Sequence, residues 1–185
     1  MHRNFKGYDP AVTFINNTGR NDIIESRVSY DDQNIYFYVK TNEALTSHAG
    51  NNWMLLFLDT DRKKGTGWEG YDYVVNYGVT SKNQTTVKQW DGVAWGNAQS
   101  AAFSVSGSEM EISIPRTAIL KTEGTPEFYF HWADNSQNLN DITAFYANLG
   151  RCVAGLRHQQ GLVEHPLGRN TGTPLYRDVY LSFNS

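Results

Sequence analysis

The stretch Glu109-Met110-Glu111-Ile112-Ser113-Ile114 decides the fold. Apolar and polar residues alternate strictly, so Met110, Ile112 and Ile114 share one face and the two carboxylates project from the other, the period of a half-buried β-strand. Pro115 ends that strand, because it has no N–H to give to a ladder, and Arg116 to Leu120 then read as a short turn of helix. The same signature recurs on both sides. Short runs rich in β-branched and aromatic residues, separated by Gly, Asn and Asp, fall at Ile23 to Tyr30, Asn34 to Thr41, Trp53 to Asp59, Tyr71 to Tyr77, Thr85 to Trp90, Ala101 to Val105, Glu127 to Trp132 and Tyr176 to Phe183. Asp91-Gly92, between Trp90 and Trp95, is a hairpin signal, since Gly supplies the positive φ of a tight primed turn. So many short strands with few helical stretches predict an all-β chain, an antiparallel β-sandwich of jelly-roll type.

The chain has 185 residues, 39% of them hydrophobic and 14% aromatic, which suits one domain with one substantial core over residues 1–185. Sixteen Lys and Arg against nineteen Asp and Glu give a formal charge of -3 with no basic block, which excludes a nucleic-acid footprint. The longest strongly apolar run, Trp53 to Leu58, falls far short of the ~18 residues that a membrane span needs. The start, Met1-His2-Arg3-Asn4-Phe5-Lys6, lacks the apolar core of a secretion signal, so an export signal is expected on an upstream segment. Cys152 is the one cysteine, and no intrachain disulfide is possible.

The least regular portion, Asn135 to Thr173, carries five glycines. Loops of that length are functional or cover something. Asp141 to Asn148 is expected to form a brief helix with Asp141 as its N-cap. In Trp53 to Leu58 both strand faces are apolar: alternation puts Trp53, Leu55 and Phe57 on one and Met54, Leu56 and Leu58 on the other. Leaving the first face bare would expose a costly apolar patch, so Asn135 to Thr173 is expected to cover it.

Five segments in order, Arg20-Asn21-Asp22-Ile23, Tyr30 to Phe37, Asn52 to Asp61, Gly67 to Asn76 and Glu109 to Arg116, resemble the family 9 carbohydrate-binding modules and the wider DOMON-like β-sandwiches attached to bacterial hydrolases. The resemblance covers roughly residues 20 to 135, with a final strand at Tyr176 to Phe183. It implies a C-terminal accessory piece of a larger exported protein, extracellular or periplasmic, that holds a polysaccharide or oligosaccharide between aromatic side chains and works beside upstream domains. Calcium, mainly as a structural ion, belongs to that resemblance, as does haem bound by Met and His in some DOMON relatives. Met54 and Met110 read as core by alternation, and no haem is expected. The sugar site itself does not carry over. Aligned on Phe57-Leu58-Asp59, the family's first clamping Trp falls at Ala49, its Glu at Leu55 and its Arg at Val74, while Asn76 matches its Asn. The terminal loop of the second clamping Trp here reads His165-Pro166-Leu167-Gly168-Arg169.

Candidate ligand residues therefore come from this chain's own pattern. Trp68, inside Gly65-Thr66-Gly67-Trp68-Glu69-Gly70, sits where nothing local buries it and offers a flat apolar face to a pyranose, with Glu69 or Asp72 to accept hydroxyl hydrogen bonds. Its bland alternative is a lid folded back on the sandwich. Trp90 and Trp95 offer a second platform, although a cross-strand pair that stabilises a hairpin is the stronger reading of the two. Asp59-Thr60-Asp61, followed by two glycines and Asp72, supplies closely spaced oxygens of the kind a calcium shell uses; the alternative is Asp-rich turn chemistry. Glu109 and Glu111, about 6 to 7 Å apart on one strand face, match the spacing of glycosidase carboxylates, although the wet face of a strand carries such residues for solvation. Cys152 with His158 lacks the signature of a thiol nucleophile. The expectation is a non-catalytic carbohydrate-binding module; a structural or protein-interaction sandwich is the alternative, and a glycoside hydrolase the third reading.

Overall fold

A computed structural model describes residues 20–49, 52–63, 65–121 and 123–134 together with the backbone of four further short strands. In chain order the strands are β1 (Arg3–Lys6), β2 (Thr13–Asn16), β3 (Ile23–Tyr30), β4 (Asn34–Thr41), β5 (Leu55–Asp59), β6 (Tyr73–Val75), β7 (Gln84–Trp90), β8 (Trp95–Ser106), β9 (Glu109–Pro115), β10 (Phe128–Ala133), β11 (Gly150–Cys152) and β12 (Val179–Leu181), with a 3-10 turn at Arg116–Ile119. β1 and β2 pair with each other in a two-stranded antiparallel sheet. The others form one antiparallel sheet in the order β11-β10-β5-β6-β7-β8-β9-β4-β3-β12. The expected all-β antiparallel fold is what the chain adopts, with a single sheet curled on itself into a sandwich-like body.

The curl is made by β8. Its twelve residues pair first with β7, from Trp90↔Trp95 to Gln84↔Ala102, and then with β9, from Ala102↔Ser113 to Ser106↔Glu109, so one strand belongs to both layers. A register shift between Val87 and Gln89 adds the local bend that such a passage needs. The alternation read from Met110, Ile112 and Ile114 holds: all three are buried, as are Ile35, Phe37 and Val39 of β4, which lies beside β9. Across the core stand Leu56 and Leu58 of β5 and the β10 aromatics. Phe37 meets Phe130 edge-on at 5.5 Å, and Trp132 Nε1 donates to Ser26 Oγ at 3.0 Å, so β10 closes over β3 and β4. Each such side chain contributes roughly 1.5–3 kcal/mol of burial.

One expectation fails at the start of β5. Asn52 and Met54 adopt positive φ, 50° and 42°, so the strand starts at Leu55 and the preceding turn throws Trp53 into the main core instead of onto the face of Leu55 and Phe57. There Trp53 packs edge-on against Phe103 at 6.0 Å and its Nε1 donates to the Thr46 carbonyl at 2.9 Å. Buried Asp134 holds the turn: its Oδ1 accepts from Met54 N at 2.9 Å, and Arg20 binds both of its oxygens. Leu55 and Phe57 do face the other way, in a second cluster with Tyr71, Val74 and Ala133. The cover expected from Asn135 to Thr173, and the brief helix at Asp141 to Asn148, lie outside the described residues, except that the backbone of Gly150–Cys152 forms β11 on the edge of β10, so Cys152 stands in a strand and not in a loop. Among the described residues no helix is long and apolar enough to cross a membrane.

Candidate functional site

The second cluster has its own lid. Trp68 is half-buried and lies nearly face to face with Phe57, at 5.5 Å and 25°. The turn that carries it is tightly fixed: Trp68 and Tyr71 exchange both backbone hydrogen bonds, at 2.8 and 2.9 Å. Gly67 is obligatory there, because it holds φ +68° and a Cβ would stand 2.2 Å from the Tyr71 carbonyl oxygen. Trp68 is therefore the folded-back lid of the alternative reading and not the exposed loop residue that the local pattern suggests; Phe57, eleven positions earlier on β5, supplies its stacking partner. Glu69, in the same turn, is exposed with φ 50°.

Trp95, also half-buried, extends the array: it packs edge-on against Trp68 at 5.9 Å and against Trp90 at 5.2 Å, and lies 6.2 Å from Phe57. Trp90↔Trp95 is a register pair, as the hairpin reading requires, yet the connection is four residues long, not a two-residue primed turn. Asp91 closes it. Its Oδ1 accepts from Val93 N and Ala94 N, both at 2.8 Å, which holds its carboxyl below the usual range, and Gly92 takes φ 104°. Three half-buried tryptophans thus stand in an edge-to-face row.

Trp90 continues into a cleft of about 320 Å³. Asp61 and Asp72 line it from the β5–β6 connection, Gln89 and Trp90 from β7, and Ile119, Leu120 and Lys121 from the 3-10 turn and the residues after it. Asp72 and Trp90 of the sequence reading meet here. Gln89, Leu120 and Lys121 had no local signal, because only the sheet order brings residues so far apart in the chain to one place. Asn76 does not join them: it is 5% exposed, its Nδ2 donates to the Met54 carbonyl at 2.8 Å, and it braces the core instead of facing a ligand.

The carboxylates of Asp59, Asp61 and Asp72 lie within 4.8 Å of one another. Much of this proximity is turn chemistry. Asp72 Oδ2 accepts from Thr60 N, Thr60 Oγ1 and Asp61 N at 2.7, 2.8 and 3.2 Å, while Asp61 accepts from Lys63 N and Thr66 Oγ1 at 2.9 and 3.0 Å. The donor set is nevertheless all oxygen and anionic, which fits a hard divalent cation. On the far layer, Glu109 is exposed and paired with Lys40 at 3.3 Å, whereas Glu111 is half-buried, not on a wet face, and desolvation raises it to about 7.

No family model, curated protein or solved structure matches the chain.

Proposed function

We propose that the chain is a non-catalytic carbohydrate-binding module, an accessory domain of an exported carbohydrate-active protein. The observation that carries this reading is the run of half-buried tryptophans, Trp68, Trp95 and Trp90, leading into a cleft lined by Asp61, Asp72, Gln89 and Lys121. Aromatic faces pack on the C–H faces of pyranoses, and carboxylates, amides and ammonium groups exchange hydrogen bonds with hydroxyls. The fixed turn of Trp68 and the Asp91 cap pre-organise the surface, which lowers the ordering cost of binding. Such a shallow surface suits dissociation constants of about micromolar to millimolar. The resemblance to family 9 modules supports the same reading, and with it an extracellular or periplasmic setting, a polysaccharide or oligosaccharide partner and neighbouring upstream domains. Calcium, if held, would be held by Asp59, Asp61 and Asp72, pinning the β5–β6 connection beside the cleft.

The test is affinity electrophoresis and pull-down over a panel of soluble and insoluble polysaccharides, with wild type, Trp68→Ala and Trp90→Ala in parallel. Retention that the Trp90 change removes supports the cleft; no retention across the panel leaves the structural or protein-interaction reading, which the stacking of Trp68 on Phe57 and the burial of Asn76 favour. The glycosidase reading gains one observation, the raised Glu111 beside Glu109. Turnover of model glycosides that vanished in Glu111→Gln would establish it.

A further inference from the structure

The rim of the cleft opposite in sequence to the tryptophans carries a conformational outlier. Leu120 is 74% exposed and sits at φ 55°, ψ 35°, the left-handed region that a Leu side chain rarely adopts. Among the exposed large hydrophobics of the described residues it is the one with positive φ, and it lines the cleft. Exposure of a single Leu is ordinary, and the left-handed conformation is that of a helix cap: Leu120 closes the 3-10 turn, its N–H turned to the Thr117 carbonyl at 3.4 Å. Its neighbours fix the cap in place. Buried Arg116 donates to the carbonyls of Lys121, Gly124 and Asp31, and Lys121 N returns a bond to the Arg116 carbonyl at 2.9 Å. The segment is thus pinned with its apolar side chain outward and Lys121 beside it.

We propose that Leu120 and Trp90 are the two apolar walls of a subsite that grips one ring of a single, free glycan chain, with Arg116 as the residue that positions the Leu120 wall. This rests on the carbohydrate reading above and adds a ligand class to it. The shallow cleft takes its lining from two elements, so a ring lying in it is met from two sides, as a free chain or chain end allows and the flat face of a crystalline polysaccharide does not. Asp61, Asp72, Gln89 and Lys121 then meet the hydroxyls at the ring's edge.

The experiment is calorimetric titration of the full chain with soluble hexamers of glucose, xylose and N-acetylglucosamine, beside pull-down on crystalline cellulose and crystalline chitin. Wild type is expected to bind at least one soluble hexamer and to ignore the crystals. Leu120→Gly, which relieves the strained φ while removing the wall, is expected to weaken that binding about fivefold with a melting midpoint within about 3 °C of wild type. Because both walls hold one ring, its combination with Trp90→Ala is expected to lose less than the product of the single losses. Full affinity in Leu120→Gly, with binding still lost in Trp90→Ala, would overturn the second wall and leave the carbohydrate reading intact. Retention on crystals alone would overturn the ligand class, and no retention of any glycan by wild type would remove the carbohydrate reading itself.

Discussion

Trp68 and Phe57 are stacked, their ring centroids 5.5 Å apart and their planes inclined by 25°. The contact joins a loop to the outer face of a strand, where Tyr71 and Trp95 also pack on Phe57, so Trp68 has two duties, covering Phe57 and presenting its remaining surface beside Trp95. Phe57→Ala is expected to cost about 3–5 kcal/mol, as for a large side chain removed from a packed interior. Trp68→Ala, half-buried and replaceable in part by water, is expected to cost about 1–2 kcal/mol. Urea unfolding of the two variants measures both, and a smaller loss for Phe57→Ala than for Trp68→Ala would contradict this layering.

Trp90 should separate binding from stability. It stands at the end of β7 between Trp95 and the cleft, and Trp90→Ala is expected to weaken glycan retention roughly tenfold, equivalent to about 1.4 kcal/mol. In Trp68→Ala the order reverses, with stability falling before affinity. Affinity electrophoresis and thermal melting on the same samples distinguish the two patterns.

The sandwich carries two titrations of opposite sign. Desolvation raises Glu111 to about 7 from its ordinary 4.5, so the folded state holds that proton more tightly than the unfolded chain. Its contribution is fully present below about pH 4.5 and is lost as pH rises through about 7. Buried His131 is lowered to about 3 from 6.5, again by desolvation, so its contribution is present above about pH 6.5 and is lost as pH falls toward 3. Between about pH 4.5 and 6.5 the two slopes oppose each other. Glu111→Gln is expected to raise stability at pH 7 relative to wild type and to leave the acid loss of His131 unopposed; denaturant midpoints across that range check it.

A divalent cation at Asp59, Asp61 and Asp72 would stabilise the folded chain by mass action. Thermal melts are expected to rise with added calcium and fall with chelator, and Asp61→Asn should abolish the difference. An unchanged midpoint leaves turn chemistry as the whole account of these carboxylates.

The strands were legible wherever period two was clean. β3 and β4 have the limits read from the sequence, and β9 differs by one residue, because Met110, Ile112 and Ile114 repeat without interruption. The long first half of β8 was not legible: Gly96 and Asn97 disfavour a strand locally, and pairing with β7 overrides them. β5 began two residues late because φ at Met54 is a tertiary choice held by Asp134. Of the candidate site, Asp61, Asp72 and Trp90 came from motif chemistry, whereas Gln89, Leu120 and Lys121 required knowing which strands are neighbours.

β8 gives the molecule a property beyond its shape. A sandwich of two separate sheets has a seam along which one layer can be exchanged, duplicated or lost while the other persists. Here the backbone that finishes one layer is the backbone that starts the next, with Ala102 bonded into both ladders. There is no seam to cut. Evolution and the protein engineer alike are confined to the rims, where the Trp68 turn, the Asp91 hairpin and the Leu120 segment can be rewritten one at a time on a body that must be inherited whole.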